Sequence, residues 1–294
     1  MQSRAAAPPA CGLGRRMRRF EPMKPILILT TMLLAMLHGA AAAPPADPER
    51  FHIFLLMGQS NMSGFAQLEP GDEQPVAGVY YLPTKSTHGL AWQPAAHPLH
   101  NRLPSDRFGL GLPFAIEYQK HHPGVQVGLI PLAWGGAPID MLNKGTSVYA
   151  DALRKASFAR KQGVLKGVLW HQGESDTTAP ALANAYAAKL DALVTDLRRD
   201  LEAPDLPFIV GNLAEFYGTS PEHNAPDRIA RINQVRAALR GLPQRQAHTA
   251  FVETTGLNSA DSHFVHFDRA SYIELGRRYA MALQSLEPSS SRGF

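Results

Sequence analysis

The stretch Phe51-His52-Ile53-Phe54-Leu55-Leu56-Met57-Gly58-Gln59-Ser60-Asn61-Met62 decides how the rest of the chain is read. Its first seven residues are an apolar run that ends in glycine, the pattern of a strand buried on both faces of a parallel sheet. A serine at the carboxyl end of such a strand stands at the mouth of the sheet, where open α/β folds hold their ligands. A serine in this place can equally cap a following helix. The choice between the two depends on segments far downstream.

Apolar runs recur at 125–132, 167–170, 208–212 and 249–253 and are expected to be strands. Between them lie helical stripes: Leu182, Tyr186, Leu190, Leu193 and Leu197; then Ile229, Ile232, Val235 and Leu239; then Tyr272, Leu275, Tyr279 and Leu283. Their spacing of three and four residues is that of amphipathic helices, and 114–120 reads as a shorter one. Strand and helix in alternation imply an α/β fold with a central parallel sheet covered on both faces. Residues 66–107 and 213–227 break the rhythm, being rich in Pro, Gly and His or simply aperiodic. Long irregular insertions of this kind often form the walls or lids of sites.

The first 43 residues read as a signal peptide rather than as fold. Arg15, Arg16, Arg18, Arg19 and Lys24 precede an apolar core at 25–37, and small residues follow from Gly39 to Ala43. That is a basic flank, a short greasy core and an alanine-rich exit. The core is too short to span a bilayer, which takes about 20 apolar residues. Residues 44–50 then read as a spacer, 51–286 as one domain, and 287–294 as a tail.

The net charge of +4 belongs to this leader, which holds six of the 29 basic and one of the 25 acidic residues. Without it the balance is 23 against 24, so binding to nucleic acid has no electrostatic footing. Cys11, the only cysteine, also lies in the leader. The exported chain would have neither a disulfide nor a thiolate for chemistry. A secreted or periplasmic protein with no membrane contact after cleavage is expected; oligomeric state is not encoded in any pattern seen.

Three further segments carry chemistry. Leu169-Trp170-His171-Gln172-Gly173-Glu174-Ser175-Asp176 gathers an amide, an imidazole and carboxylates where a buried strand should end. Packing alone does not favour polar groups there, since each buried one needs a partner. Ser175 or Asp176 is expected to cap the helix that includes Pro180. His171 with Glu174 and Asp176 could suggest a metal, but the His-Glu-x-x-His spacing is absent and no metal is expected.

Asp261-Ser262-His263-Phe264-Val265-His266-Phe267-Asp268 offers an imidazole and an acid on one loop, as a serine nucleophile requires. Asp268 is expected to cap the last helix. Trp134-Gly135-Gly136-Ala137, after the 125–132 strand, permits a tight turn whose backbone N–H groups face the sheet mouth.

In this order, Gly58-Gln59-Ser60-Asn61-Met62, Gly135-Gly136, His171-Gln172-Gly173-Glu174-Ser175-Asp176 and His266-Phe267-Asp268 resemble the sialate O-acetylesterase-like branch of the SGNH hydrolases. That branch includes the acetylxylan esterases of carbohydrate esterase family six. The resemblance runs from about Phe51 to Leu283. It implies a three-layer α/β/α sandwich of flavodoxin-like topology, no cofactor, and a serine esterase acting on acetylated carbohydrate such as acetylxylan or an acetylated sialic acid.

Carried over to this sequence, the resemblance makes Ser60 the nucleophile and His266 the base. The backbone N–H groups of Ser60 and Gly136, with the Gln172 side chain, would form the oxyanion hole, and Gln59, Asn61 and Glu174 would support them. Two departures stand out. The family expects Asp-x-x-His, yet His263 precedes His266 by three and Asp261 by five. Either Asp261 still reaches the imidazole or another group orients it. Ala137 also stands where Ser or Thr is common. Two rival functions follow: a sugar-binding protein that has kept the scaffold and lost turnover, or a serine esterase for other acyl groups.

Overall fold

The computed structural model describes residues 47–84, 89–100 and 107–287. The leader expected at 1–43 and residues 288–294 of the expected tail lie outside them. In chain order the elements are β1 (Phe51–Gly58), a single helical turn α1 (Ser60–Ser63), β2 (Val79–Tyr81), β3 (Gln93–Pro94), α2 (Gly111–His121) and β4 (Gln126–Pro131). Then come α3 (Ser147–Ala159), β5 (Val164–His171), α4 (Pro180–Asp200), β6 (Phe208–Gly211), α5 (Pro226–Arg240), α6 (Leu242–Arg245), β7 (Thr249–Val252) and α7 (Arg269–Gln284).

The seven strands form one sheet in the order β3-β2-β4-β1-β5-β6-β7. All neighbours are parallel except β2 and β3, an antiparallel edge pair. The five strands β4-β1-β5-β6-β7 reproduce the flavodoxin-like order, in which the chain leaves the first strand to one side and returns to build the other. The strand order therefore reverses between β1 and β5, and a crevice opens beyond their carboxyl ends. β1 is buried along its whole length, as its unbroken apolar run requires of a central parallel strand.

Two helical layers cover the sheet. On one face Phe54 packs edge-on against Phe114 and Tyr118 of α2, with ring centroids 4.9 Å apart in both pairs. On the same face the His171 imidazole meets the Tyr279 hydroxyl of α7 at 3.0 Å. On the opposite face Trp170 of β5 donates to Tyr186 of α4 at 3.3 Å, and α4 is tied to α3 by Tyr149 and Asp200 at 2.8 Å. Three layers result, as expected.

The sequence expectation missed α3 and the β2–β3 pair. The buried face of α3 is Val148, Tyr149, Ala152, Lys155, Ala156 and Ala159, too alanine-rich to give a clear apolar stripe. β2 and β3 are three and two residues long and sit inside the Pro- and Gly-rich 66–107 stretch.

Candidate active site

β1 ends on a forced geometry. Gly58 has φ +148°, and a Cβ there would stand 2.1 Å from the His171 carbonyl oxygen. Only glycine lets β1 lie this close to β5 as the chain turns out of the sheet. The Gln59 N–H then donates to that same carbonyl at 3.0 Å, and the Gln59 carbonyl accepts from Met62 and Ser63 at 2.9 and 3.0 Å. Ser60 thereby begins a single helical turn, 5% exposed. Its N–H is among those a helix start leaves unbonded, and none of the described groups accepts it.

The His266 loop arrives from the other side of the molecule. His266 Nε2 lies 3.0 Å from Ser60 Oγ, and its Nδ1 lies 2.7 Å from Asp261 Oδ2. Asp261 also accepts the backbone N–H groups of Val265 and His266 at 3.1 and 3.2 Å. Asp261 therefore reaches the imidazole despite its spacing. The extra residues are taken up by a turn in which the Phe264 N–H meets the Asp261 carbonyl at 3.3 Å and Phe264 adopts φ +55°. A non-glycine residue rarely takes that conformation. His263, at the position the family motif gives to Asp, points away to Glu222 at 3.0 Å.

Burial lowers the pKa of His266 more than the Asp261 carboxylate raises it, so the imidazole is held below its ordinary value. For Asp261, burial pushes the carboxyl up, but the hydrogen bonds from Val265 and His266 outweigh it and hold it below the usual range. The pair is a neutral imidazole beside a carboxylate at neutral pH, the state in which Nδ1 donates and Nε2 accepts. Phe65 stacks on the imidazole with centroids 4.0 Å apart.

Asn61 joins the three segments. Its Nδ2 donates to Glu174 Oε1 at 2.7 Å and to the Val265 carbonyl at 3.0 Å, and its Oδ1 accepts from the Tyr272 hydroxyl at 2.9 Å. Glu174 is almost wholly buried and burial raises its pKa; its Oε2 has no partner among the described residues.

Gln172 departs from the expected arrangement. Its side chain is fully buried, and its amide nitrogen donates to Gln59 Oε1 at 3.2 Å, to the Ala137 carbonyl at 3.1 Å and to Asp176 Oδ2. Two N–H bonds shared among three acceptors leave none for an oxyanion. Gln59 instead lines the cleft. Its Oε1 also faces the Gly173 and Ser175 N–H groups at 3.4 and 3.3 Å, which leaves its amide nitrogen without a partner among the described residues.

Asp176 is not a helix cap either. Its Oδ2 accepts from the Ile139 N–H at 3.0 Å as well as from Gln172, and burial pushes its pKa up to about 6. It straps the glycine turn to the end of β5, while α4 starts after Ala179 without a side-chain cap. Asp268 does cap α7, accepting from the Ser271 N–H at 2.7 Å. His171 turns to Tyr279 beneath the sheet rather than toward Glu174.

Gly136 lies on the glycine turn at φ +69° with open space around its α-carbon, and no described group accepts its N–H. Ser175 Oγ fixes the turn by donating to the Gly136 carbonyl at 2.9 Å. These groups surround an open cleft of about 380 Å³ that Phe65, Tyr217, His223, Arg228 and Val265 complete. Sequence reading did not single out those five. Tyr217 and His223 lie in the 213–227 stretch whose wall-like character was expected; the others gave no signal.

Comparison with known proteins identifies the family to which the chain belongs. The family profile described as carbohydrate esterase, sialic acid-specific acetylesterase matches residues 50–285. An Arabidopsis thaliana protein named "Probable carbohydrate esterase" is 29% identical over 261 residues, 82% of this chain and 92% of its own. Its X-ray structure superimposes with a TM-score of 0.69, covering 81% of this chain and 99% of that one. The crystal structure of NanS, 16% identical, covers 82% of this chain and 98% of its own with a TM-score of 0.66, a likeness of fold.

Proposed function

The chain belongs to the sialic acid-specific acetylesterase family of carbohydrate esterases and is a carboxylic ester hydrolase, and on that premise we propose that it removes O-acetyl groups from a carbohydrate through an acetyl-enzyme on Ser60. The observation that carries this reading is the unbroken relay from Ser60 Oγ through His266 to Asp261, 3.0 and 2.7 Å long, at the floor of an open cleft.

In the first half-reaction Ser60 Oγ attacks the acetyl carbonyl carbon while its proton passes to His266 Nε2. The negative charge that develops on the carbonyl oxygen meets the unbonded N–H groups of Ser60 and Gly136. The Gln59 amide serves as the side-chain donor in place of Gln172. The bond from the carbonyl carbon to the sugar oxygen then breaks, and His266 returns the proton to that oxygen. Water repeats the sequence on the acetyl-enzyme, releasing acetate and restoring the Ser60 hydroxyl. Asp261 keeps the imidazole in the required tautomer and stabilises the imidazolium between the two transfers.

A complete relay supports turnover over a binding-only role. The basic, apolar and alanine-rich order of residues 1–43 supports a secreted or periplasmic enzyme working on glycans outside the cytoplasm. The test is acetate release from 4-nitrophenyl acetate and from an acetylated xylo-oligosaccharide. Ser60→Ala is expected to lower both rates by about a thousandfold or more, with thermal unfolding nearly unchanged and His266→Ala almost as damaging. Undiminished turnover by Ser60→Ala would overturn the proposal. Activity rising with acyl length in an ester series would replace acetyl by a longer group.

A further inference from the structure

Hydrogen bonds fix the His266 imidazole only at its edge, through Nε2 to Ser60 at 3.0 Å and Nδ1 to Asp261 at 2.7 Å. A ring nitrogen gives or takes a hydrogen bond along the plane of the ring, so these two bonds leave its tilt and its faces to other groups. Phe65 covers one face, with ring centroids 4.0 Å apart and the planes at 12°. It lies outside the sequence motifs, three residues past Met62.

The nucleophile's own segment puts Phe65 there. Gly64 closes α1 by donating its N–H to the Ser60 carbonyl at 2.8 Å. Its φ is +95°, and a Cβ would stand 2.4 Å from the Phe108 carbonyl oxygen, so only glycine allows this approach. Ala66, on the other side, exchanges two backbone hydrogen bonds with Phe108, at 3.3 and 3.0 Å. The backbone is thus pinned on both sides of Phe65, and the ring reaches from the Ser60 segment to the base on the 261–266 loop.

The geometry favours a charged imidazole over a neutral one. Neutral aromatic rings prefer offset or edge-on arrangements with centroids about 4.5–7 Å apart, as where Phe54 meets Phe114 at 82°. A near-parallel stack at 4.0 Å gives a neutral pair little, but the negative face of a phenyl ring attracts a cation set over it. The mechanism makes His266 a cation between the two proton transfers. A contact that strengthens as the imidazolium forms lowers the barrier rather than tightening the hold on substrate. Asp261 and His263 on its own loop, and Glu174, His223 and Arg228 along the cleft, are the titratable and charged groups around the ring. Asp261 favours the imidazolium and His263 opposes it.

We infer that Phe65 is a positioning residue for the general base: its ring holds the His266 imidazole level between Ser60 and Asp261 and stabilises the imidazolium that forms when the serine proton is transferred. The inference rests on the esterase reading above and goes beyond it, adding a third support to the relay.

The test is the pH profile of kcat/KM for the intact protein on 4-nitrophenyl acetate and on an acetylated xylo-oligosaccharide, with thermal unfolding recorded alongside. Phe65→Leu and Phe65→Met keep an apolar cover over the imidazole and remove the π face. Both are expected to lower kcat/KM by about three- to tenfold on either substrate and to move the acid limb about 0.5 lower in pH, the scale of a lost cation–π contact. The sign follows from the base being active when neutral: a less stable imidazolium loses its proton at lower pH. Phe65→Tyr keeps the face and is expected to restore the wild-type limb and most of the rate. Should one apolar variant fail to fold, the other decides. A limb that coincides with the wild-type one would overturn the inference, whatever the rate does. With the limb unmoved, a loss on the sugar alone, through KM, would make Phe65 a platform for substrate, and equal losses with a lower unfolding temperature would make it packing. If wild type releases acetate from neither ester, the esterase reading fails; if wild type turns over and the limbs coincide, this inference fails alone.

Discussion

The two walls of the cleft are built differently. The wall formed by the ends of β1 and β5 is buried and densely bonded: Asn61, Gln172 and Asp176 are each 0% exposed and each holds two or more neighbouring groups. The wall formed by the 213–228 segment and the tip of the 261–266 loop is open. There Glu222 and His263 meet with side chains 60% and 63% exposed. The contrast suggests a division of labour. Atoms that must be fixed for proton transfer sit where packing and hydrogen bonds leave no alternative, and atoms that meet a variable substrate sit on the wall that loops supply.

Substitutions on the two walls should therefore differ in kind, and the largest effect belongs to the relay. Asp261→Asn is expected to lower kcat/KM for an aryl acetate by about 10²–10⁴-fold, since the carboxylate both orients the imidazole and accepts two backbone N–H groups. A small loss would mean that the close contact to His266 is not what holds the tautomer.

Asn61→Ala comes next and acts on stability as well as rate. It strands the Tyr272 hydroxyl, the Val265 carbonyl and one Glu174 oxygen in a buried site, an expected cost of about 2–4 kcal/mol. Denaturant unfolding measures this, and kcat should fall as Ser60 and His266 lose their common tie. Stability close to wild type would show that the buried wall tolerates an opening. His263→Ala, on the open wall, removes only an exposed pair and is expected to change stability by less than about 1 kcal/mol. A larger change would make the outer wall as rigid as the inner one and erase the distinction.

The same contrast separates what the sequence reveals from what it hides. The central strands are legible because a run such as Phe51–Gly58, buried at every position, has no other stable place than the middle of a parallel sheet. Ser60 and His266 are legible because their residue types at those positions serve chemistry better than packing. The reach of Asp261 is hidden, because it depends on the φ of Phe264 and on a turn that spacing alone does not specify. The inward turn of Gln172 is hidden for a related reason: the motif names the residue, but whether its amide faces the cleft or the interior depends on Asp176, Ala137 and Gln59 around it. Helix α3 is hidden because Ala152, Ala156 and Ala159 bury without announcing a stripe.

The central claim is that His266 activates Ser60. A fluorophosphonate tests it most directly, since attack by Ser60 Oγ on phosphorus expels fluoride, passes the serine proton to His266 and leaves a stable adduct. Peptide mapping with the reaction rate followed against pH is predicted to give a single adduct, on Ser60. Because burial holds His266 below its ordinary value of 6.5, the imidazole is mostly neutral at pH 6.5, and the rate there should exceed half its plateau, falling only at lower pH. An adduct absent from Ser60, or one formed as fast in His266→Ala, would contradict the account.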